Sequence, residues 1–104
     1  MATALATIAY PHISKTHGVC GGKACIDGTR IRVMDIVGLD RRGMKPEDMR
    51  GMYGVPLSLA EIYAALSYYY DHKDEIEASF AEDERWEAEH ERTKAEYLAE
   101  RSAR

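Results

Sequence analysis

All eight Gly and all three Pro of this 104-residue chain lie at or before Pro56, so nothing from Leu57 to Arg104 interrupts a helix. That stretch is filled with Ala, Glu, Leu, Lys and Arg, which form helices readily. It predicts one long helix, or two with a soft joint. The glycine-punctuated front part predicts turns, short strands and short helices instead. Residues 1–9 are expected to form a mobile tail, 10–72 a folded domain, and 73–104 an acidic helical extension.

Charge follows the same division. Residues 1–50 carry eight basic and five acidic side chains, and residues 51–104 carry six and thirteen. Clusters of one sign steer association with the opposite sign, so the front suits a polyanion and the rear a cationic partner. A rear segment that is merely a solvated acidic face fits the same numbers. The apolar runs are only a few residues long, against the roughly 20 that a membrane span needs. The start, Met1-Ala2-Thr3-Ala4-Leu5-Ala6, lacks the basic and long apolar regions of a secretory signal. A cytoplasmic location without membrane contact is expected.

Ile13-Ser14 and Ile31-Arg32-Val33 read as very short strands separated by the passage Gly18-Val19-Cys20-Gly21-Gly22-Lys23. Such strands need further support, because a lone two-stranded ribbon is marginal in water; a second copy of the chain would supply it. Three helix signals follow. Met34 to Arg42 places Met34, Ile36, Val37 and Leu39 near one face and stops at Gly43. Pro46-Glu47-Asp48 opens a second helix, expected to run through Met49, Met52 and Tyr53 to Gly54. Ser58 and Glu61 form an S-x-x-E capping box at the start of a third, whose stripe is read as Leu59, Ile62, Leu66 and Tyr69. The expected turn between the second and third helices is about four residues, as in a helix-turn-helix.

The residues Ile13-Ser14-Lys15, the core Gly21-Gly22-Lys23-Ala24-Cys25-Ile26-Asp27-Gly28-Thr29-Arg30-Ile31, then Val33 and Gly43-Met44-Lys45-Pro46-Glu47 resemble the bacterial domain-of-unknown-function family four-three-three. The resemblance covers about residues 10–72. It implies a mainly α, homeodomain-like three-helix fold with a short N-terminal β element, a dimer, and an antitoxin role beside a PIN-like nuclease toxin. The long C-terminal helix lies beyond it.

Lys15, Lys23, Arg30 and Arg32 are expected around the β element, where cationic groups meet phosphates without reading bases. Arg41, Arg42 and Lys45 add to the cationic set. Arg30 has an alternative role, pairing with Asp27 or Asp35 to hold the turn. Ser58 and Glu61 stand where a recognition helix faces base edges, although Ser58, Ala60, Glu61 and Tyr63 include no cation. Tyr68-Tyr69-Tyr70 point about 100 degrees apart on a helix, so with Tyr69 in the stripe, Tyr68 and Tyr70 are left for a partner surface. Ile76, Phe80, Trp86 and Tyr97 are the apolar anchors expected to hold a partner on the acidic helix.

His12, His17, Cys20 and Cys25 lie within fourteen residues and could in principle ligate zinc, but the usual C-x2-C spacing is absent. No metal or cofactor is expected. A disulfide is disfavoured in a reducing compartment. His72 and His90 are expected on the surface. A phosphate loop fails because His17 and Ala24 stand where Gly and Ser or Thr are needed. No catalytic constellation emerges. The expectation is a dimeric antitoxin that binds operator DNA with its front and masks a nuclease toxin with its rear helix. The alternative is a dimeric adaptor that binds no DNA.

Overall fold

A computed structural model describes residues 10–102, apart from the side chains of residues 92 and 102. The expected tail of residues 1–9 lies outside these. The described chain is mainly helical, with one short antiparallel sheet. Strand β1 (Ile13–Ser14) pairs with β2 (Cys25–Ile26), Ile13 facing Ile26 and Ser14 facing Cys25. A 3-10 turn at Cys20–Gly22 lies between them. Helix α1 spans Val33–Arg41, α2 Pro46–Met49, α3 Leu59–Asp71 and α4 Lys73–Ser102. The chain divides into two compact units, the first ending at Lys73 and the second running from Asp74.

The second strand forms earlier in the chain than the expected run Ile31-Arg32-Val33. Cys25–Ile26 is the strand, while Arg32 contributes a single antiparallel bridge to Cys25 and Val33 already opens α1. The turn chemistry explains the shift. Gly28 takes φ 74°, and Thr29 donates its hydroxyl to the Ile26 carbonyl at 2.8 Å while accepting from Ile31 N at 3.0 Å. With Ile26 N bonded to the Ile31 carbonyl at 2.9 Å, the chain reverses tightly and runs directly into the helix.

Ile36 and Val37 of α1, Met49 of α2 and Ile62 of α3 are almost fully buried, with Ile13, Ile26 and Val33 beneath them. Helix α3 makes its most extensive contact with α1. Its buried face is Ile62, Ala65 and Tyr68, with Leu59, Leu66 and Tyr69 only half-buried. The stripe is therefore turned from the one expected. Ala65 carries little hydrophobic weight in a sequence pattern, yet it has no exposed surface at all. A small residue lets two helix backbones approach, and its i+3 neighbours then follow it inward.

Tyr68 is thus a core residue and not a partner anchor. Its ring stacks on His72 at 4.0 Å and meets Tyr10 edge-on at 5.3 Å. His72, expected on the surface, is half-buried in this trio and its Nδ1 lies 3.0 Å from the Tyr68 carbonyl. Tyr10 donates to Asp71 at 2.8 Å, fixing the chain entry against the end of α3.

Helix α2 stops at Met49, short of the expected Gly54. Residues 50–58 instead close a loop on themselves: Leu57 N donates to the Arg50 carbonyl at 3.1 Å and Arg50 Nε donates back to the Leu57 carbonyl at 3.0 Å. This connection replaces the four-residue turn expected between the second and third helices. Ser58 and Glu61 then cap α3 reciprocally, at 3.1 and 2.8 Å, as their spacing predicts.

In the second unit, α4 carries an unbroken helix about 45 Å long. Ile76 is buried and Phe80 half-buried, whereas Trp86, Tyr97 and Leu98 are exposed. His90 stacks on Trp86 at 3.5 Å, and Arg101 lies 5.9 Å over Tyr97.

Tyr68 and Tyr70, both expected on a partner surface, differ in burial, and unfolding energetics separate them. Tyr68→Ala, which empties a packed aromatic site, is expected to cost about 3–5 kcal/mol in urea unfolding. Tyr70→Ala removes a ring that is 62% exposed and is expected to change stability by less than about 0.5 kcal/mol.

Candidate functional site

The β element and the loop after α2 enclose a groove of about 690 Å3. Ser14 of β1 and Thr16 after it, Cys25 of β2, Thr29 and Arg30 of the turn that follows, and Tyr53 and Val55 of the loop line it. Tyr53 is fixed there by donating to the Asp35 carbonyl at 3.3 Å. Its hydroxyl titrates above the usual range, raised first by burial and then by the nearby Asp35 charge, with Arg42 and Arg32 opposing. Hydroxyl groups and one exposed guanidinium therefore border a partly apolar floor.

The structure sorts the expected cations by what already engages them. Arg30 is exposed at the groove edge. Its alternative role, holding the turn against a carboxylate, belongs to its neighbour Arg32. Arg32 directs Nη2 to Asp35 Oδ1 at 2.9 Å and Nε to Oδ2 at 3.2 Å, while its backbone N donates to the same carboxylate at 2.9 Å. Arg41 reaches the Tyr69 hydroxyl at 3.3 Å and lies over that ring at 5.8 Å. Lys15, Arg42 and Lys45 are exposed and Lys23 is half-buried.

These cations fall into two groups along the chain. Lys15, Lys23, Arg30 and Arg32 belong to the β element, whereas Arg41, Arg42 and Lys45 follow the far end of α1, a nine-residue helix about 13 Å long. Ser58 and Glu61 spend their side chains on the α3 cap. The outward face of α3 presents Ala60, Tyr63, Ser67 and Tyr70, with Lys73 at 5.2 Å over Tyr70. Of the expected partner anchors, Tyr70, Trp86 and Tyr97 are exposed, Phe80 is half-buried, and Tyr68 and Ile76 are buried.

The four residues weighed for zinc separate as well. His12 and His17 are exposed, and Cys20 and Cys25 come together without them. Among the described residues no three His, Cys, Asp or Glu side chains converge. Burial, and next a hydrogen bond with the Cys20 side chain, push the Cys25 thiol up to about 12. Asp35, named from the sequence as a possible partner of Arg30, pairs with Arg32 instead, and Arg50 and Tyr53, which shape the loop after α2, carried no site signal in the sequence.

A family model described as protein of unknown function (DUF433) matches residues 13–69. The fold is similar to the crystal structure of a DUF433 member protein from Anabaena variabilis, with 31% identity, a TM-score of 0.62 and 77% of each chain covered. No curated protein matches the chain.

The high Cys25 value sets a pH dependence. The folded state holds the thiol proton more tightly than an unfolded chain, whose thiol titrates near 9.0. Its contribution to stability is complete below that pH and declines as pH rises from about 9 towards about 12. Chemical unfolding across this range is expected to show a steeper loss for the parent chain than for Cys25→Ala. In native protein near pH 8, iodoacetamide is expected to label Cys25 at least about tenfold more slowly than half-buried Cys20.

Proposed function

We propose that this chain, which belongs to the DUF433 family, acts as an antitoxin-type regulator: a homodimer whose first unit contacts operator DNA and whose acidic helix covers a basic nuclease toxin. The observation that carries the reading is the character of the second unit. It holds eleven acidic and five basic side chains, against seven and nine in the first. Along this acidic helix Trp86 and Tyr97 are 59% and 56% exposed. Large aromatic side chains set in a charged helix face are what a helix that docks on a partner groove presents. The acidic surroundings select a cationic partner.

The DNA-contact part of the proposal rests on Arg30 and the hydroxyl-lined groove. Contacts of this kind supply backbone affinity and orientation, and their strength falls with salt as counterions are retained. Inhibition of the toxin would follow from occlusion, with Glu and Asp side chains of α4 competing for the basic groups or metal of its active site. A cytoplasmic protein without a membrane partner is part of the same proposal.

One feature favours the adaptor reading in its place. The exposed face of α3 carries Tyr63 and Tyr70 and none of the Lys or Arg that a recognition helix uses for guanine. Such a face suits protein contact.

Two measurements separate these readings. The full chain is expected to co-purify with the nuclease encoded by the adjoining reading frame, and Trp86→Ala with Tyr97→Ala to weaken that complex by at least about tenfold, or 1.4 kcal/mol. Retention of full affinity by the double variant would reject the role given to α4. In gel-shift titrations Arg30→Ala is expected to weaken binding evenly across DNA sequences and lower the salt slope by about 1. An absence of preference for the chain's own promoter over random DNA would leave the adaptor.

A further inference from the structure

The groove between the β element and the loop after α2 combines an apolar lining with a single charge. Directly facing residues of a strand pair share one face of the sheet. Ile13 and Ile26 face each other and enter the core at 2% and 0% exposure, so Ser14 and Cys25, the other facing pair, line the groove. Val19, Ile31 and Val55 add apolar surface, and Tyr53 adds a ring. The volume of about 690 Å3 falls within the roughly 300–1,000 Å3 of small-molecule sites.

Arg30 is the one charged residue of this lining, and among the described residues that form it none is Asp or Glu. Burial pushes the Cys25 thiol up to about 12 and raises the Tyr53 hydroxyl, so neither adds a negative charge at neutral pH. Asp35, whose charge reaches Tyr53, already holds Arg32 at 2.9 Å. A chain of net charge -4 thus lines its groove with a lone positive group.

Two of the hydroxyl groups at the groove are already committed. Thr29 gives its proton to the Ile26 carbonyl at 2.8 Å, and Tyr53 gives its own to the Asp35 carbonyl at 3.3 Å. Neither has a second proton to give a ligand. The side-chain donors the groove offers are then Arg30, Ser14 and Thr16. The backbone that carries Arg30 is held on both sides, because its carbonyl accepts the Cys20 thiol at 3.4 Å and Ile31 N donates to Thr29 Oγ1 at 3.0 Å. A site built in advance binds with less ordering cost.

We propose that this groove binds a small organic anion, one carboxylate on a flat apolar body of one or two rings. The carboxylate meets Arg30, which binds such groups through paired N–H donors, with the Ser14 and Thr16 hydroxyls beside it. The apolar body covers Ile31 and Val55 and lies against the Tyr53 ring, since aromatic pairs gain from stacked or edge-on contact. Inorganic anions would leave the apolar lining uncovered, and a polyphosphate would bring several charges to one guanidinium. Where the first unit holds DNA through Arg30, the ligand and a DNA phosphate compete for the same group, and the ligand acts as an effector that releases DNA. That consequence rests on the DNA-contact reading, whereas the site itself does not.

The test titrates the full chain with 2-naphthoate by isothermal calorimetry, using 2-naphthamide as the uncharged probe and inorganic phosphate as the probe without an apolar body. Naphthoate is expected to bind at least about threefold more tightly than either, the scale of a partly exposed ion pair. Arg30→Ala is expected to abolish the preference for naphthoate over naphthamide, with naphthamide affinity kept within about twofold. Val55→Asp, which sets a carboxylate in the groove wall, is expected to weaken naphthoate at least about fivefold. Both positions are exposed, and urea unfolding verifies that each variant is folded. Amide shifts in NMR spectra are expected at residues 14–16 and 28–31. Overturning results are equal affinity for naphthoate and naphthamide, unchanged naphthoate affinity in Arg30→Ala, or shifts confined to α4. In gel-shift titrations, release of DNA by naphthoate supports the effector role, and DNA that stays bound beside bound naphthoate overturns it. A chain that binds naphthoate but no DNA overturns the DNA-contact reading and leaves the site standing.

Discussion

The carboxylate of Asp35 ties the β element to the first helix, and the arrangement of the N-terminal unit depends on that connection. One side chain accepts from the backbone N, Nε and Nη2 of Arg32. Arg32 in turn bridges to Cys25 on the strand, and the Asp35 carbonyl receives the Tyr53 hydroxyl from the loop after α2. Strand, helix and loop therefore converge on one residue. Both ends of the Arg32–Asp35 pair are partly exposed, at 30% and 23%. Water weakens its Coulomb attraction to the range of surface pairs, about 0–1 kcal/mol. The donors in fixed geometry add hydrogen bonds to a charged acceptor, each worth about 1.5–3 kcal/mol in favourable cases. Geometry, more than charge, makes the junction.

This connection decides which cations are presented outward. Arg32 has its guanidinium turned to the junction, and Arg41 is engaged by Tyr69. Arg30 stays exposed beside the groove because its neighbour performs the pairing. The same turn brings Cys20 against the Arg30 carbonyl and Cys25 against Arg32. The motif from Gly21 to Ile31 thus serves as a small scaffold that places one guanidinium and two thiols within a few residues of each other.

Much of this was legible in the sequence where a residue's chemistry is local. Ser58 and Glu61 name their own helix start, Gly43 with φ 86° marks the end of α1, and the absence of Gly and Pro after Pro56 announces the helical remainder. Features set by distant partners were not legible. Arg is not a usual helix cap residue, so the Arg32-x-x-Asp35 junction does not stand out in a scan. The Tyr68 register depends on how closely Ala65 packs, a tertiary fact with little sequence weight. Met49 ends its helix because Arg50 folds back to the Leu57 carbonyl, seven residues away.

The central claim is that Arg32 and Asp35 act together to hold the junction of strand and helix. A double-mutant cycle on urea unfolding, comparing Arg32→Ala, Asp35→Ala and the double variant with the parent chain, tests it directly. The account expects both single variants to lose stability and the pair to show a coupling energy of about 1 kcal/mol or more. Losses that add to within about 0.3 kcal/mol would contradict it, because residues that hold a junction jointly cannot be removed independently.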